Sequence, residues 1–166
     1  IEENIPELEL EPEVDKTDIF AKKVGNILLN WGVTNDKKVT FDPTQNDLMI
    51  DAKPRTSRGK GMRSITHAAF TVGLLEYCKE QELPHPGFII LDTPLLAYRE
   101  PDSDDEQFFK NGVDEKFYNY LQGITDRQII IIENNDPPES IKAQKFTRYF
   151  SKSSSQGDYG LFPIEA

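Results

Sequence analysis

The stretch that most constrains the fold runs from Phe88 to Pro94, where four apolar residues lead directly into Asp92. A short apolar run that ends in a turn signal is typical of a buried strand in a parallel sheet. Open α/β sheets bind their ligands at the carboxyl ends of such strands. Asp92 is therefore predicted to be a magnesium-site residue, and the alternative is a strand followed by an ordinary polar turn.

A basic segment with glycines precedes this strand, from Lys53 to Arg63. It holds five cations, two glycines and no acid, although the whole chain has a net charge of -10. Gly59 and Gly61 permit a tight turn that exposes amide hydrogens, and Ser57 is expected to cap the following helix. Because a helix N-terminus attracts anions, the segment predicts contact with a nucleotide phosphate. Contact with DNA and a plain surface loop remain the alternatives.

The residues after the basic segment have a helical pattern. Apolar side chains recur every three or four positions, as in a stripe that faces a core, and the stripe consists of Met62, Ile65, Ala69, Val72 and Leu75 or Leu74. A loop, a helix and then a strand that ends in aspartate form an arrangement typical of nucleotide ATPases.

Two of these segments resemble a known family. Ser57–Gly61 resembles the signature loop of ABC-type ATPase heads, and Phe88–Pro94 resembles their Walker B strand. Within this family the segments resemble those of SMC and RecN-like heads, from chromosome maintenance, DNA repair and phage defence, and the resemblance covers roughly residues 48–163. It implies an α/β fold with a mostly parallel sheet and flanking helices, which is half of a P-loop ABC/SMC-type ATPase head. Arg58 departs from the pattern, since the family usually has glycine there.

The resemblance also implies ATP and Mg²⁺ as ligands. Asp92 would hold the metal, and the nucleotide-binding residues would be Ser57, Arg58, Gly59, Lys60, Gly61 and Arg63. The sequence has no GxxxxGK[ST] phosphate loop. Its one Gly-Lys pair, Gly59-Lys60, is followed by Gly61, where the motif needs serine or threonine. We therefore expect a carboxyl-terminal lobe whose partner is an amino-terminal Walker A lobe, in the same or another chain. The signature loop would act in a head-to-head dimer, on ATP held by the second head.

Two positions depart from the catalytic pattern of the family. Thr93 stands where these heads commonly carry a glutamate as general base, and a hydroxyl is a poor base near neutral pH. The second apolar strand ends in Glu133 and Asn134, where the family usually has a switch histidine. Glu133 is predicted to supply the missing carboxylate and Asn134 the missing hydrogen-bond donor, so the catalytic set is Asp92, Thr93, Glu133 and Asn134. A structural turn is the alternative.

Other candidate residues have simpler explanations. His67 and His85 are too isolated to form a metal site, so structural roles are expected for both. The acidic run of residues 102–106 is typical of a solvated loop, with cation binding as the alternative. Tyr98 and Arg99 follow the Walker B segment at the position of a subunit-contacting loop, but a core aromatic and a surface arginine explain them equally well.

Composition limits the possible classes. The chain of 166 residues, 37% of them hydrophobic, is expected to form an acidic linker over 1–18 and one domain over 19–166. A cytoplasmic location without membrane contact is expected, because no apolar run is long enough to cross a membrane and no signal peptide pattern is seen. Cys78 is expected to pack in a core. The negative charge argues against a broad DNA-binding face, so DNA contact is expected mainly through the larger assembly.

Hydrophobic spacing predicts the remaining elements. They are a helix over 18–31, a hairpin of strands at 39–41 and 47–51, a helix over 114–121 with Phe117, Tyr120 and Leu121 facing inward, a strand at 128–132, and a final helix and edge within 138–150.

Two further functional classes remain open at this stage. One is a non-catalytic, nucleotide-gated interaction module that keeps the fold without turning ATP over. The other is a magnesium-dependent, TOPRIM-like nuclease that uses Asp92, Glu133 and the acidic run.

Overall fold

The chain divides into two units, Ile1–Asn134 and Asn135–Ala166. The computed structural model describes residues 14–36, 38–95, 112–144, 146–151 and 158–159. The first unit contains α1 (Val14–Trp31), β1 (Val39–Asp42), β2 (Asp47–Ile50), β3 (Lys53–Pro54), α2 (Lys60–Glu80), β4 (Phe88–Asp92), α3 (Val113–Gln122) and β5 (Gln128–Ile132). The second unit contains α4 (Glu139–Lys142), β6 (Phe150–Ser151) and β7 (Asp158–Tyr159).

The strands form separate small sheets. In the first unit β1, β2 and β3 form an antiparallel sheet in that order, whereas β4 and β5 pair in parallel. The class is mixed α/β, as predicted, but within the described residues the prediction of a mostly parallel sheet is wrong for this unit. The reason is connection length, because the short turns between β1, β2 and β3 permit only antiparallel pairing. In the second unit β6 and β7 form a short parallel pair.

The turns of the antiparallel sheet depend on aspartates. Between β1 and β2, Asp42 Oδ1 accepts the backbone N–H of Thr44 at 2.9 Å, which is an Asx turn. Between β2 and β3, Asp51 and Ala52 have φ angles of 50° and 59°. A two-residue hairpin turn with both φ values positive usually contains asparagine, aspartate or glycine. Alanine therefore occupies an unfavourable backbone conformation.

The core of the first unit is built on the contact between α1 and α2. α1 buries an apolar face of Phe20, Ala21, Val24, Ile27, Leu28 and Trp31. The predicted stripe on α2 is confirmed with Leu75 as the buried member, whereas Leu74 is exposed. At Gly73 the helices come so close that an added β-carbon would lie 2.8 Å from Val24 Cγ2.

Aromatic side chains join α3 to this core. The rings of Trp31 and Phe117 meet edge to face, with centroids 4.7 Å apart. The predicted inward positions of Phe117 and Leu121 are confirmed. Tyr120 is half-buried and donates its hydroxyl to a Glu76 carboxylate oxygen at 2.9 Å. Burial, and then the negative charge of Glu76, raise the pKa of this phenol. The buried Tyr118 was not predicted.

α1 begins at Val14, so the helix includes residues 14–18, which the sequence assigned to the linker. Cys78 is buried, as predicted. Tyr98, Arg99 and the acidic run of 102–106 lie outside the described residues. No helix in the described part of the chain is long and apolar enough to cross a membrane.

Candidate functional site

The carboxyl ends of β4 and β5 meet at one edge of the parallel pair. Asp92, the last residue of β4, is in register with Ile132, the last residue of β5. The N–H of Thr93 donates to the Ile132 carbonyl at 2.7 Å, which extends the pairing by one bond. Glu133 follows Ile132 directly, so the register brings Asp92, Thr93 and Glu133 to the same edge, as predicted.

The loop after β4 is held by Glu133. One carboxylate oxygen, Glu133 Oε1, accepts the backbone N–H of Leu95 at 2.8 Å. Leu95 is fully buried, whereas the side chains of Asp92 and Asn134 are exposed. Thr93 turns the chain between them with a φ angle of 45°, an uncommon conformation for a β-branched residue. Glu133 therefore has a structural contact that its predicted role as general base did not include.

One face of the parallel pair is exposed. Along β4 buried and exposed side chains alternate, so Ile89 and Leu91 face the core. The opposite side presents four apolar side chains, each 38% to 53% exposed, which we call the open face: Phe88, Ile90, Ile130 and Ile132. The prediction of a buried strand is therefore wrong for β4 within the described residues, because its side chains are alternately exposed and buried. Parallel sheets are almost always covered on both faces.

The glycine-containing segment lies at the N-terminus of α2, as predicted. Gly59 is the N-cap, and Lys60 and Gly61 are the first two helical residues. The first backbone N–H groups of a helix have no acceptor within the helix, which suits an anion. Of these two residues Lys60 is exposed, whereas Gly61 is buried. The predicted cap by Ser57 is wrong, because its hydroxyl donates to the Pro54 carbonyl at 2.8 Å. Ser57 is the last residue of a separate 3₁₀ turn, Arg55–Ser57, whereas the N-cap of α2 is Gly59.

The cations of the basic segment point in different directions. Arg55 forms two hydrogen bonds with the carboxylate of Asp47, at 2.9 and 3.0 Å. Arg58 turns inward, and only 11% of its side chain is exposed. Lys60 and Arg63 are exposed, and within the described residues neither side chain forms an ion pair. They are therefore the cations best placed for an external phosphate.

Arg58 contacts the turn between β2 and β3. Its Nη2 atom donates to the carbonyl of Ile50 and lies 3.8 Å from Asp51 Oδ2. Burial and the nearby charge of Asp36 raise the pKa of Asp51. Hydrogen bonds from Lys38, first from its side chain and then from its backbone, lower the pKa of Asp36.

The two histidines have different settings, and only His85 has a structural contact of the kind that the sequence predicts. His85 Nδ1 accepts the backbone N–H of Gly87 at 3.1 Å, which closes the turn before β4. His67 is exposed on α2. Within the described ranges, no group of three or more histidine, cysteine, aspartate or glutamate side chains is close enough to hold a metal ion.

Comparison with known proteins finds no matching family model and no matching curated protein. The function therefore has to be argued from geometry and chemistry. Two contacts that shape the site, from Glu133 to Leu95 and from Arg58 to Ile50, were missed by sequence reasoning. Glu133 and Leu95 are 38 positions apart, and neither contact leaves a local sequence pattern.

Proposed function

We propose that this chain is the carboxyl-terminal lobe of an SMC-like ATPase head, which completes a composite Mg-ATP site when it joins a Walker A lobe and a second head. The observation that supports this most is the parallel β4–β5 pair, which has an acidic carboxyl edge and an uncovered apolar face. The uncovered face suits packing against a second lobe, and the acidic edge suits a metal-bound nucleotide. The resemblance favours a role in DNA repair, chromosome maintenance or phage defence. The free, buried Cys78 agrees with a reducing, cytoplasmic compartment.

The open face favours a partner lobe on energetic grounds. Full burial of a large apolar side chain contributes about 1.5–3 kcal/mol, and the four side chains of the open face are each roughly half exposed. Covering them contributes about 4 kcal/mol in total by the same measure. This gain is available to a lobe that lays apolar side chains on β4 and β5.

The acidic edge suits a metal-bound triphosphate. Mg²⁺ is commonly held by one or two carboxylates together with substrate phosphates and waters, so the exposed Asp92 fits as its protein ligand without a cluster of acids. When bound, Mg²⁺ neutralises phosphate charge. Asp92 would orient this metal, and the Thr93 hydroxyl would orient a water. Glu133 would hold the loop that follows Asp92 and Thr93, through its hydrogen bond with the Leu95 N–H.

The N-terminus of α2 suits a phosphate of the partner head. The backbone amides at Lys60 and Gly61 lie at the positive end of a helix of 21 residues. Lys60 and Arg63 add exposed positive charge. Together they form the surface that we propose to close over ATP in the head-to-head dimer.

A second candidate is a nucleotide-gated clamp that does not hydrolyse ATP. It is favoured because the residues at the expected position of the general base are poorly suited to activate water. Thr93 has no carboxylate, and one oxygen of Glu133 already accepts the N–H of Leu95. The residues Asp92, Lys60 and Arg63 would then bind nucleotide and join two heads without activating water.

The experiment that tests the proposal combines this chain with the Walker A lobe and measures ATP hydrolysis and ATP-dependent dimerisation. We expect Asp92→Asn to abolish turnover and Lys60→Gln to weaken dimerisation. Asp18→Asn, an exposed aspartate on α1, is the matched control and should behave like wild type. Dimerisation without turnover would establish the clamp. The absence of both activities in wild type would refute the proposal.

A further inference from the structure

We propose that Arg58 is a positioning residue, which fixes the nucleotide-facing loop to the antiparallel sheet and does not itself contact phosphate. The effect that we predict on ATP-dependent association rests on the proposed function. The contacts of Arg58 themselves lie within the first unit. We thereby assign a role to the arginine that stands where the resembled family usually has glycine.

The contacts of Arg58 support positioning. Its guanidinium donates through Nη2 to the backbone carbonyl of Ile50, the last residue of β2. The Asp51 carboxylate lies 3.8 Å from the same nitrogen. Hydrogen bonds from a charged donor are about twice as strong as neutral ones. The side chain thus spans from the residue before the α2 N-cap to the end of β2.

Burial argues against a direct phosphate contact. Only 11% of the Arg58 side chain is exposed. Its Nε atom is buried and has no hydrogen-bond partner among the described residues. A guanidinium that reached an external phosphate would have to leave the Ile50 carbonyl and turn outward. Lys60 and Arg63 are already exposed, so they can supply charge without that rearrangement.

The backbone conformation also permits an arginine in this glycine-containing turn. Arg58 has φ of -77° and ψ of 159°, an extended conformation open to any residue. The backbone therefore does not require glycine at this position. The turn that receives the guanidinium has two residues with positive φ, Asp51 and Ala52. Arg58 ties these residues to the start of α2, so the first amides of the helix are held in one orientation.

The first test is amide hydrogen exchange of this chain without nucleotide. Arg58→Gln should speed exchange at least about tenfold, as expected for the loss of a charge-assisted bond, in two separate segments whose amides are hydrogen-bonded. These are the turn at 51–53, where the Asp51 N–H donates to the Lys38 carbonyl, and the start of α2, where the Arg63 N–H donates to the Gly59 carbonyl. Arg58→Lys should restore part of the protection, because it keeps a charged donor. Lys60→Gln is the matched control and should leave residues 51–53 unchanged. Far-UV circular dichroism verifies that each variant is folded.

The second test measures ATP-dependent association of the chain joined with the Walker A lobe. Positioning predicts that Arg58→Gln weakens association about tenfold or more and that Arg58→Lys restores it only in part. The inference is overturned if Arg58→Gln exchanges its amides at the wild-type rate. It is also overturned if Arg58→Lys associates with ATP as well as wild type does while Arg58→Gln does not, because that pattern indicates direct phosphate contact. Faster exchange in both segments, with no nucleotide response even in wild type, would support the contact and refute the proposed function.

Discussion

The close approach of α1 and α2 at Gly73 yields a prediction whose sign depends on one neighbour. A β-carbon at this position would lie 2.8 Å from Val24 Cγ2 and 3.5 Å from Ile27 Cδ1. Val24 is fully buried and has few alternative rotamers because it is β-branched. Gly73→Ala therefore places a methyl group where the neighbouring side chain has little room to move.

Two opposing contributions set the size of the effect. Replacing glycine by alanine within a helix stabilises by about 1 kcal/mol, whereas overpacking a core costs about 1–3 kcal/mol. Gly73→Ala should therefore destabilise the chain by about 1 kcal/mol. In a Val24→Ala background the clash is removed, and the same substitution should stabilise by about 1 kcal/mol. The coupling between the two positions is thus about 2 kcal/mol.

Urea unfolding of the four proteins of this cycle, followed by circular dichroism, measures the coupling. Val24→Ala alone should cost about 2 kcal/mol through the cavity it leaves. The reasoning is refuted if Gly73→Ala stabilises the wild-type chain, or if its effect is the same in both backgrounds. Either result would mean that the helices do not meet closely at Gly73.

Three further predictions concern the antiparallel sheet. Ala52→Gly should stabilise by about 1 kcal/mol, because φ is 59° at this position, and thermal unfolding measures it. The pKa of Asp51 is raised in the folded chain, so the folded chain favours the protonated carboxyl. The stability that protonated Asp51 contributes is fully present below the ordinary pKa of 3.8 and is lost as pH rises through the folded pKa. Asp51→Asn should therefore stabilise the chain more at pH 7 than at pH 3. Urea unfolding at the two pH values measures this, and an equal gain in the free energy of unfolding at both would contradict it. Arg55→Lys should cost about 1–2 kcal/mol through loss of the two-point contact with Asp47, and an unchanged urea midpoint would show that the pair contributes nothing.

Periodicity predicted the elements that have a strong local pattern. The stripe on α2 and the hairpin of β1 and β2 lie where the spacing of apolar residues puts them. The parallel pairing of β4 with β5 also followed from sequence, because each strand is an apolar run and a helical segment separates them. The elements themselves depend mainly on residues that are neighbours in the chain.

Burial and side-chain direction were harder to predict. The run Phe88–Leu91 looks apolar on both sides, yet only Ile89 and Leu91 are buried, because a face is buried only where something covers it. Arg58 was predicted to meet phosphate, but its side chain turns to the Ile50 carbonyl. The hydroxyl of Ser57 likewise bonds to a carbonyl within its own turn. Such choices depend on acceptors brought near by the fold.

The measurement that tests the central claim most directly is the affinity of this chain for the Walker A lobe, by sedimentation velocity, in wild type and in Ile90→Asp. Ile90 belongs to the open face and is 53% exposed, so the variant should fold normally. Leu74→Asp, an exposed apolar position on α2, is the matched control. We predict that Ile90→Asp weakens the complex at least about tenfold, as expected for a charge buried without a partner, and that Leu74→Asp does not. Equal affinity of both variants and wild type would contradict the account.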